Sequence, residues 1–292
     1  MTNGLRILDP YTFTTLRFGI AALLFTFVLW RREGKPALSV EGRGLLAWFM
    51  GTLGFAGFGL LVFVGQRMAG TEGALIASVM MATQPMLSLF ANWAIKRVPP
   101  RPLSFAFLTL SFVGVLLVVT KGNLDEAQRS TRHLVAAAII VAGALCWVIY
   151  TIGGTFFTGW SPYRYTTLTT LLGLPGLIAI NVVLVVSGHI AIPGPSQLKI
   201  AAPYLLYTAF VPGFLGVLFW NIGIRIVTPV NGVLFMDVIP VTAFAISAFQ
   251  GVVPVRAQII GVACTASAII MNNLYVRSYA RRERQFATRS VN

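Results

Sequence analysis

The sequence predicts an all-α integral membrane protein built from two related halves, and three observations carry that prediction. The chain is 57% hydrophobic and 10% charged over 292 residues, with a mean hydropathy of +0.80, far more apolar than a soluble domain needs to be. Its apolar residues gather into long stretches. Finally, Pro10-Tyr-Thr-Phe-Thr-Thr-Leu16 returns as Pro162-Tyr-Arg-Tyr-Thr-Thr-Leu168 at an offset of 152, and Val98-Pro99-Pro100-Arg101 returns as Val253-Pro254-Val255-Arg256 at an offset of 155. Each copy of the second echo closes an apolar segment with a proline near its middle, Pro85 or Pro240. Duplicated long apolar segments point to membrane transporters assembled from internal repeats.

A bilayer core of about 30 Å asks for roughly 20 apolar residues per helix. Nine stretches qualify: 11–30, 45–65, 73–95, 103–120, 134–153, 165–188, 201–224, 229–250 and 257–276. Helices satisfy their own backbone in hydrocarbon whereas open strands do not, so all nine are read as helical. The first repeat spans residues 1–130, the second 131–276, and 277–292 form a basic tail. In the second repeat a full apolar helix, 134–153, precedes the Pro-Tyr-Arg-Tyr-Thr-Thr-Leu segment, while only nine residues precede its counterpart. The duplication therefore predicts five helices per repeat, with the first of them missing from this sequence.

The net charge of +14 and pI near 10.7 do not require a nucleic-acid partner, because the basic residues punctuate the helices. Placing the C-terminal tail inside puts fourteen of the 22 Lys and Arg on that side, among them Arg31, Arg32, Arg43, Arg164 and Arg225. Seven fall opposite, including Arg6, Arg67 and Lys199, and Arg17 lies within a span. That bias predicts a cytoplasmic C-terminus. The basic tail is expected to contact anionic lipid headgroups rather than RNA.

Enzymatic chemistry finds no foothold. Cys146 and Cys264 lie deep in separate apolar segments, where a thiol is a small packing group, and His133 and His189 stand alone at segment edges. No metalloprotease, nucleophile-elbow, phosphate-loop or paired-cysteine pattern occurs. The expectation is a non-enzyme with no cofactor and no metal, whose partners are a small-molecule substrate and membrane lipids.

Polar groups within spans are costly and are functional candidates by default. Asp237 is the only acid well inside a segment; it is a candidate for proton coupling or for a fixed ion pair with Arg17 or Arg225. Arg17, seven residues into its span, is read as either snorkelling to headgroups or holding a substrate carboxylate. Arg225, at a helix end, is read as a topology anchor. Pro85, Pro175, Pro212 and Pro240 are expected to kink helices, with Pro85 and Pro240 as gating candidates. Met80, Met81 and Gln84 suit either gap filling or the lining of a solute site. Trp147, Tyr150, Tyr204, Tyr207 and Trp220 are candidate walls of a pocket for a zwitterion with an apolar side chain. Asn221 needs partners wherever it is buried, on a neighbouring helix or on a ligand. Gly51, Gly54 and Gly57, with Gly213 and Gly216, form ridges where helices can approach closely.

Taken in order, Leu16-Arg17-Phe18, Cys146-Trp147 with Tyr150, Trp220-Asn221 and the helical prolines Pro85 and Pro240 resemble the EamA-type drug/metabolite transporter family across essentially the whole chain. The resemblance implies ten helices as two inverted five-helix repeats, both termini cytoplasmic, and a central cavity for exporting amino acids or other small metabolites. Ranked by burial and polarity, Arg17, Met81, Gln84, Trp147, Tyr150, Trp220 and Asn221 are the substrate-binding candidates. One departure stands out: the family's Gly-Glu near the end of each proline-bearing helix is replaced here by Ile95-Lys-Arg-Val98 and Gln250-Gly-Val-Val253. A glutamate role cannot be transferred, which leaves Asp237 as the deep carboxylate. The expected function is export of small metabolites, amino acids foremost, by alternating access. The alternatives are a multidrug or nucleobase exporter, or a membrane-embedded lipid flippase or enzyme.

Overall fold

A computed structural model describes residues 2–81, 83–97, 99, 102–120, 122, 131–227 and 255–289. Every regular element among these is helical. In chain order they are α1 (Thr2–Ile7), α2 (Pro10–Glu33), α3 (Gly44–Met68), α4 (Gly73–Met81), α5 (Gln84–Lys96), α6 (Pro102–Thr120), α7 (Thr131–Gly153) and α8 (Pro162–Val186). α9 runs through Pro195–Thr208, a π-helical stretch at Ala209–Gly216 and then Val217–Val227, and α10 is Arg256–Arg289. Among the described residues, five helices are long and apolar enough to cross a membrane: Pro10–Glu33, Gly44–Met68, Thr131–Phe156, Pro162–Val186 and Pro195–Ile226. The predicted span 229–250, with Asp237 and Pro240, lies outside the described residues.

One expected helix is divided. The stretch read as a single span over 73–95 forms α4 and α5, with Thr83 at the N-cap of α5 and Pro85 in its first turn. Proline is tolerated there because its missing N–H falls among the donors a helix start leaves unpaired. Pro85 thus begins a helix instead of kinking one.

The repeated Pro-Tyr segments start their helices by the same chemistry. Asp9 caps α2, its carboxylate accepting from the amides of Tyr11 (2.9 Å) and Thr12 (2.8 Å), with Pro10 as the first helical residue. Ser161 caps α8, accepting from the amide of Arg164 (3.0 Å), with Pro162 in the matching place. A side-chain oxygen before a proline is a strong start signal. Gly34, at φ 78°, ends α2, in a conformation that costs a side-chain-bearing residue more.

Within hydrocarbon the hydroxyls must find partners nearby. Thr166, Thr169 and Thr170 donate back to the carbonyls of Pro162 (2.7 Å), Tyr165 (2.6 Å) and Thr166 (2.7 Å). Thr167 instead donates to the carbonyl of Phe25 in α2 (3.1 Å), and Asn181 donates to the Thr12 hydroxyl (3.2 Å). Residue numbers climb along one helix as they fall along the other, so α2 and α8 run antiparallel. α6 and α10 do the same, with Thr265 donating to Ser111 O and Gln258 to Val118 O, each at 3.4 Å. α3 also runs antiparallel to α7, with Gly65, Gly57 and Gly54 facing Ile140, Cys146 and Tyr150 in turn.

α3 and α9 each contain a π-helical stretch, Thr52–Gly57 and Ala209–Gly216. The first packs on α8 and the second on α2. Gly51 and Gly173 meet where α3 crosses α8, with no room for a β-carbon on either. Lipid tails are as apolar as leucine, so close packing of this kind, rather than removal from water, holds membrane helices together. Of the interior clusters among the described residues, the two largest lie around Phe13, Phe63, Met80 and Ile140 and around Phe18, Phe55, Trp147, Tyr150, Tyr165 and Phe214, with smaller ones around Met86 and Ala91.

Candidate functional site

The second cluster is a run of aromatic rings with a polar spine. Phe55 meets Phe18 at 5.0 Å and Tyr150 at 5.4 Å between ring centroids. Tyr150 stacks on Tyr165 at 5.1 Å and tilts against Trp147 at 5.2 Å. Trp147 also meets Phe58 at 5.0 Å and Trp220 at 6.4 Å. These spacings fall within the range in which aromatic pairs attract beyond simple burial. Asn221, buried on α9, donates to the Tyr150 hydroxyl (2.9 Å) and to the Thr166 hydroxyl (2.8 Å). Tyr165 donates to the Tyr150 carbonyl (2.7 Å) and the Trp220 indole to the Thr151 hydroxyl (3.2 Å). Three helices, α7, α8 and α9, are thereby tied at one level.

Both amide hydrogens of Asn221 are used, which leaves its carbonyl oxygen as an acceptor with no partner among the described residues. Asn221 lines a cavity of about 240 Å³ together with Thr151, Thr155, Phe157, Tyr165 and Arg225. Arg225 follows Asn221 by four residues and so shares its helix face. It is the one charged residue lining this cavity among the described residues, and it donates to the Trp160 carbonyl.

Trp147, Tyr150, Trp220 and Asn221 are therefore brought together. Arg17 lies elsewhere. It is 4% exposed, with its guanidinium 4.6 Å from the Phe18 ring centre and 5.3 Å from that of Phe63. The snorkelling alternative is corrected by this burial, and Gly213 provides the space into which Nε fits. Met81 and Gln84 belong to the region of the first cluster, where the Gln84 amide donates to the Met81 sulfur (3.1 Å). Tyr204 packs against that same cluster and Tyr207 is 61% exposed, so neither joins the aromatic run. Tyr165 and Thr166 escaped the sequence reading although they stand inside the repeated motif itself.

Beyond the cavity, loops meet at one end. Glu41 pairs with Arg164 at 2.8 Å and accepts from the Trp160 indole at 3.0 Å. The hydrogen bonds from Arg164 and then Trp160 hold its carboxyl below the usual carboxylate range. A depressed folded-state pKa gives stabilisation that is present above the unfolded pKa and lost as pH falls through the folded one. Thermal unfolding of the protein and of Glu41→Gln should therefore differ at about pH 7 and converge as pH falls through the lowered folded-state pKa. The difference will be small, since the carboxylate is half exposed.

The profile of the EamA-like transporter family matches residues 1–120 and again 134–274. The chain belongs to this family. It is similar to the "Uncharacterized transporter YrdR" of Bacillus subtilis (strain 168), 32% identical over 275 residues that cover 94% of this chain and 86% of that one. It is also similar to "Uncharacterized transporter YyaM" of the same organism, 28% identical over 87% of this chain and 81% of the relative. A solved crystal structure superposes with a TM-score of 0.62 at 17% identity, covering 92% of this chain and 89% of the other; at that identity it is the fold that is shared. Family and apolar helices together make this a multi-pass membrane protein of the drug/metabolite transporter type.

Proposed function

We propose that the protein is a secondary transporter of the bacterial inner membrane that exports small metabolites, best of all amino acids, by alternating access. The observation that carries the substrate class is the cavity shared by Asn221 and Arg225. Asn221 offers an acceptor for an ammonium group, Arg225 a donor fork for a carboxylate, and Phe157, Tyr165 and Ile224 a wall for an apolar side chain. At about 240 Å³ it is smaller than the roughly 300–1,000 Å³ typical of drug-sized ligands. An organic cation would meet Arg225. Both points favour an amino acid over the multidrug alternative.

The antiparallel pairing of α2 with α8 and of α6 with α10 supports two inverted repeats, as does the reciprocal seating of the two π-helical stretches. In such an arrangement one half rocks against the other around a site between them. Arg43, Arg164 and Arg225 gather at one end, while Arg6, Arg67 and His189 line cavities formed by other segments. The positive-inside bias assigns the first end, and the C-terminus, to the cytoplasm.

The test is exchange of radiolabelled amino acids in proteoliposomes, with competition by phenylalanine and by phenethylamine, which lacks the carboxylate. Phenylalanine should compete well and phenethylamine poorly, and Arg225→Gln should erase most of that difference. Equal competition in the unmodified protein would overturn the zwitterion reading.

A further inference from the structure

The α2–α3 connection and the α7–α8 connection are fastened to one another. Glu41 takes both the Arg164 guanidinium (2.8 Å) and the Trp160 indole (3.0 Å). Arg164 also donates to the Ser39 carbonyl (2.6 Å) and lies 4.9 Å from the centre of the Trp160 ring. Ser161 donates to Glu33 (2.5 Å), and Arg43 donates to the carbonyls of Phe156 (3.1 Å) and Thr158 (3.4 Å). Apart from the Arg164 ring contact, each of these joins the first half of the chain to the second.

Glu41 stands out in this cluster for its backbone. Its φ of 47° lies in the left-handed region, which a glutamate seldom occupies and which persists where the surroundings impose it. The side chain is 55% exposed, and an ion pair so accessible to water adds little to stability. Weak, strained and spanning the two halves, the contact suits something made and broken in a working cycle. What it grips matters as well. Phe157, Thr158 and Pro162 form one wall of the Asn221–Arg225 cavity, and Arg225 holds the Trp160 carbonyl from the other side.

We infer that Glu41 is the positioning residue of a gate: seated on Trp160 and Arg164, it holds the α7–α8 connection against the cavity, and this end opens only when those contacts break. The inference rests on the transporter reading above. Opening here is then a displacement of residues 154–162 away from the α2–α3 connection.

The gate can be read without any substrate. Thr151 is buried in the cavity wall, so a Thr151→Cys reporter, with Cys146→Ala and Cys264→Ala, can be labelled in proteoliposomes by a membrane-impermeant methanethiosulfonate from either side. Adding Glu41→Gln should speed labelling about two- to threefold from the side bearing the gate, in keeping with a water-accessible ion pair, and leave the other side unchanged. Trp160→Phe, which removes the indole donor together with part of the ring packed on Phe157 and Arg164, should act in the same direction and carries the reading if Glu41→Gln fails to assemble. An unchanged rate from the gate side, or equal acceleration from both sides, overturns the inference. Labelling that responds in a protein that exchanges no amino acid would refute the substrate class alone, and amino-acid exchange with unresponsive labelling would refute the gate alone.

Discussion

Gly173→Ala should leave little protein correctly assembled, whereas Gly176→Ala, three residues along the same helix, should be harmless. A β-carbon at Gly173 would sit 2.6 Å from the Gly51 carbonyl carbon and oxygen, closer than non-bonded atoms tolerate. The obstacle is backbone, so no side-chain rotation relieves it; α3 and α8 must separate, taking with them the seat of the first π-helical stretch. Overpacking of a tight interior typically costs about 1–3 kcal/mol and occasionally more, and a rigid backbone neighbour places this case at the upper end. Gly176 has nothing within 4 Å of the same position, and alanine there should gain roughly the 1 kcal/mol by which it exceeds glycine as a helix former. Size-exclusion profiles after graded heating will order the variants. Similar profiles for both would show that the α3–α8 crossing is looser than its geometry.

The contrast also explains why part of this architecture could be read in advance and part could not. Membrane class and the openings of α2 and α8 were legible because they rest on local chemistry: apolar length, and a repeated heptapeptide that heads both helices. The division of 73–95 was harder. Pro85 inside an apolar run reads as a kink, yet the same residue is equally at home in the first turn of a helix, and the structure places it there. The π-helical stretches were missed, although Gly54-Phe55-Ala56-Gly57 and Gly213-Phe214-Leu215-Gly216 repeat one pattern inside them. Those glycines were read as packing ridges, which they are, but a ridge says nothing of helical pitch.

Long-range pairings lay further from view. That Trp147, Tyr150, Trp220 and Asn221 converge follows from the order in which α7, α8 and α9 pack, which no single segment encodes. Arg17 was legible as unusual and not as buried between two phenylalanines, because snorkelling and burial begin from the same sequence position. The gate residues were the least legible. Glu41 belongs to a short polar loop of ordinary composition, and only its partners 119 and 123 residues onward distinguish it.

Asn221→Leu should cut amino-acid exchange at subsaturating substrate by tenfold or more, and the comparison with Tyr150→Phe identifies the cause. Leucine matches asparagine closely in size but withdraws both donors and the free carbonyl oxygen. Tyr150 and Thr166 lose a partner inside a buried network, a loss of about 1–3 kcal/mol where polar groups are stranded, and the cavity loses its acceptor. Tyr150→Phe removes one hydroxyl and leaves Asn221 bonded to Thr166 and still lining the cavity. If Asn221 recognises substrate, Tyr150→Phe should lower thermal stability by about 1 kcal/mol and change exchange by no more than about threefold. Asn221→Asp retains an acceptor and should restore ammonium binding in part, at the expense of the carboxylate that Arg225 must hold close by. The order Tyr150→Phe above Asn221→Asp above Asn221→Leu therefore marks a contact with substrate. Equal losses for Tyr150→Phe and Asn221→Leu would instead make the amide a brace for the aromatic run, and would move recognition to Arg225 and the threonines beside it.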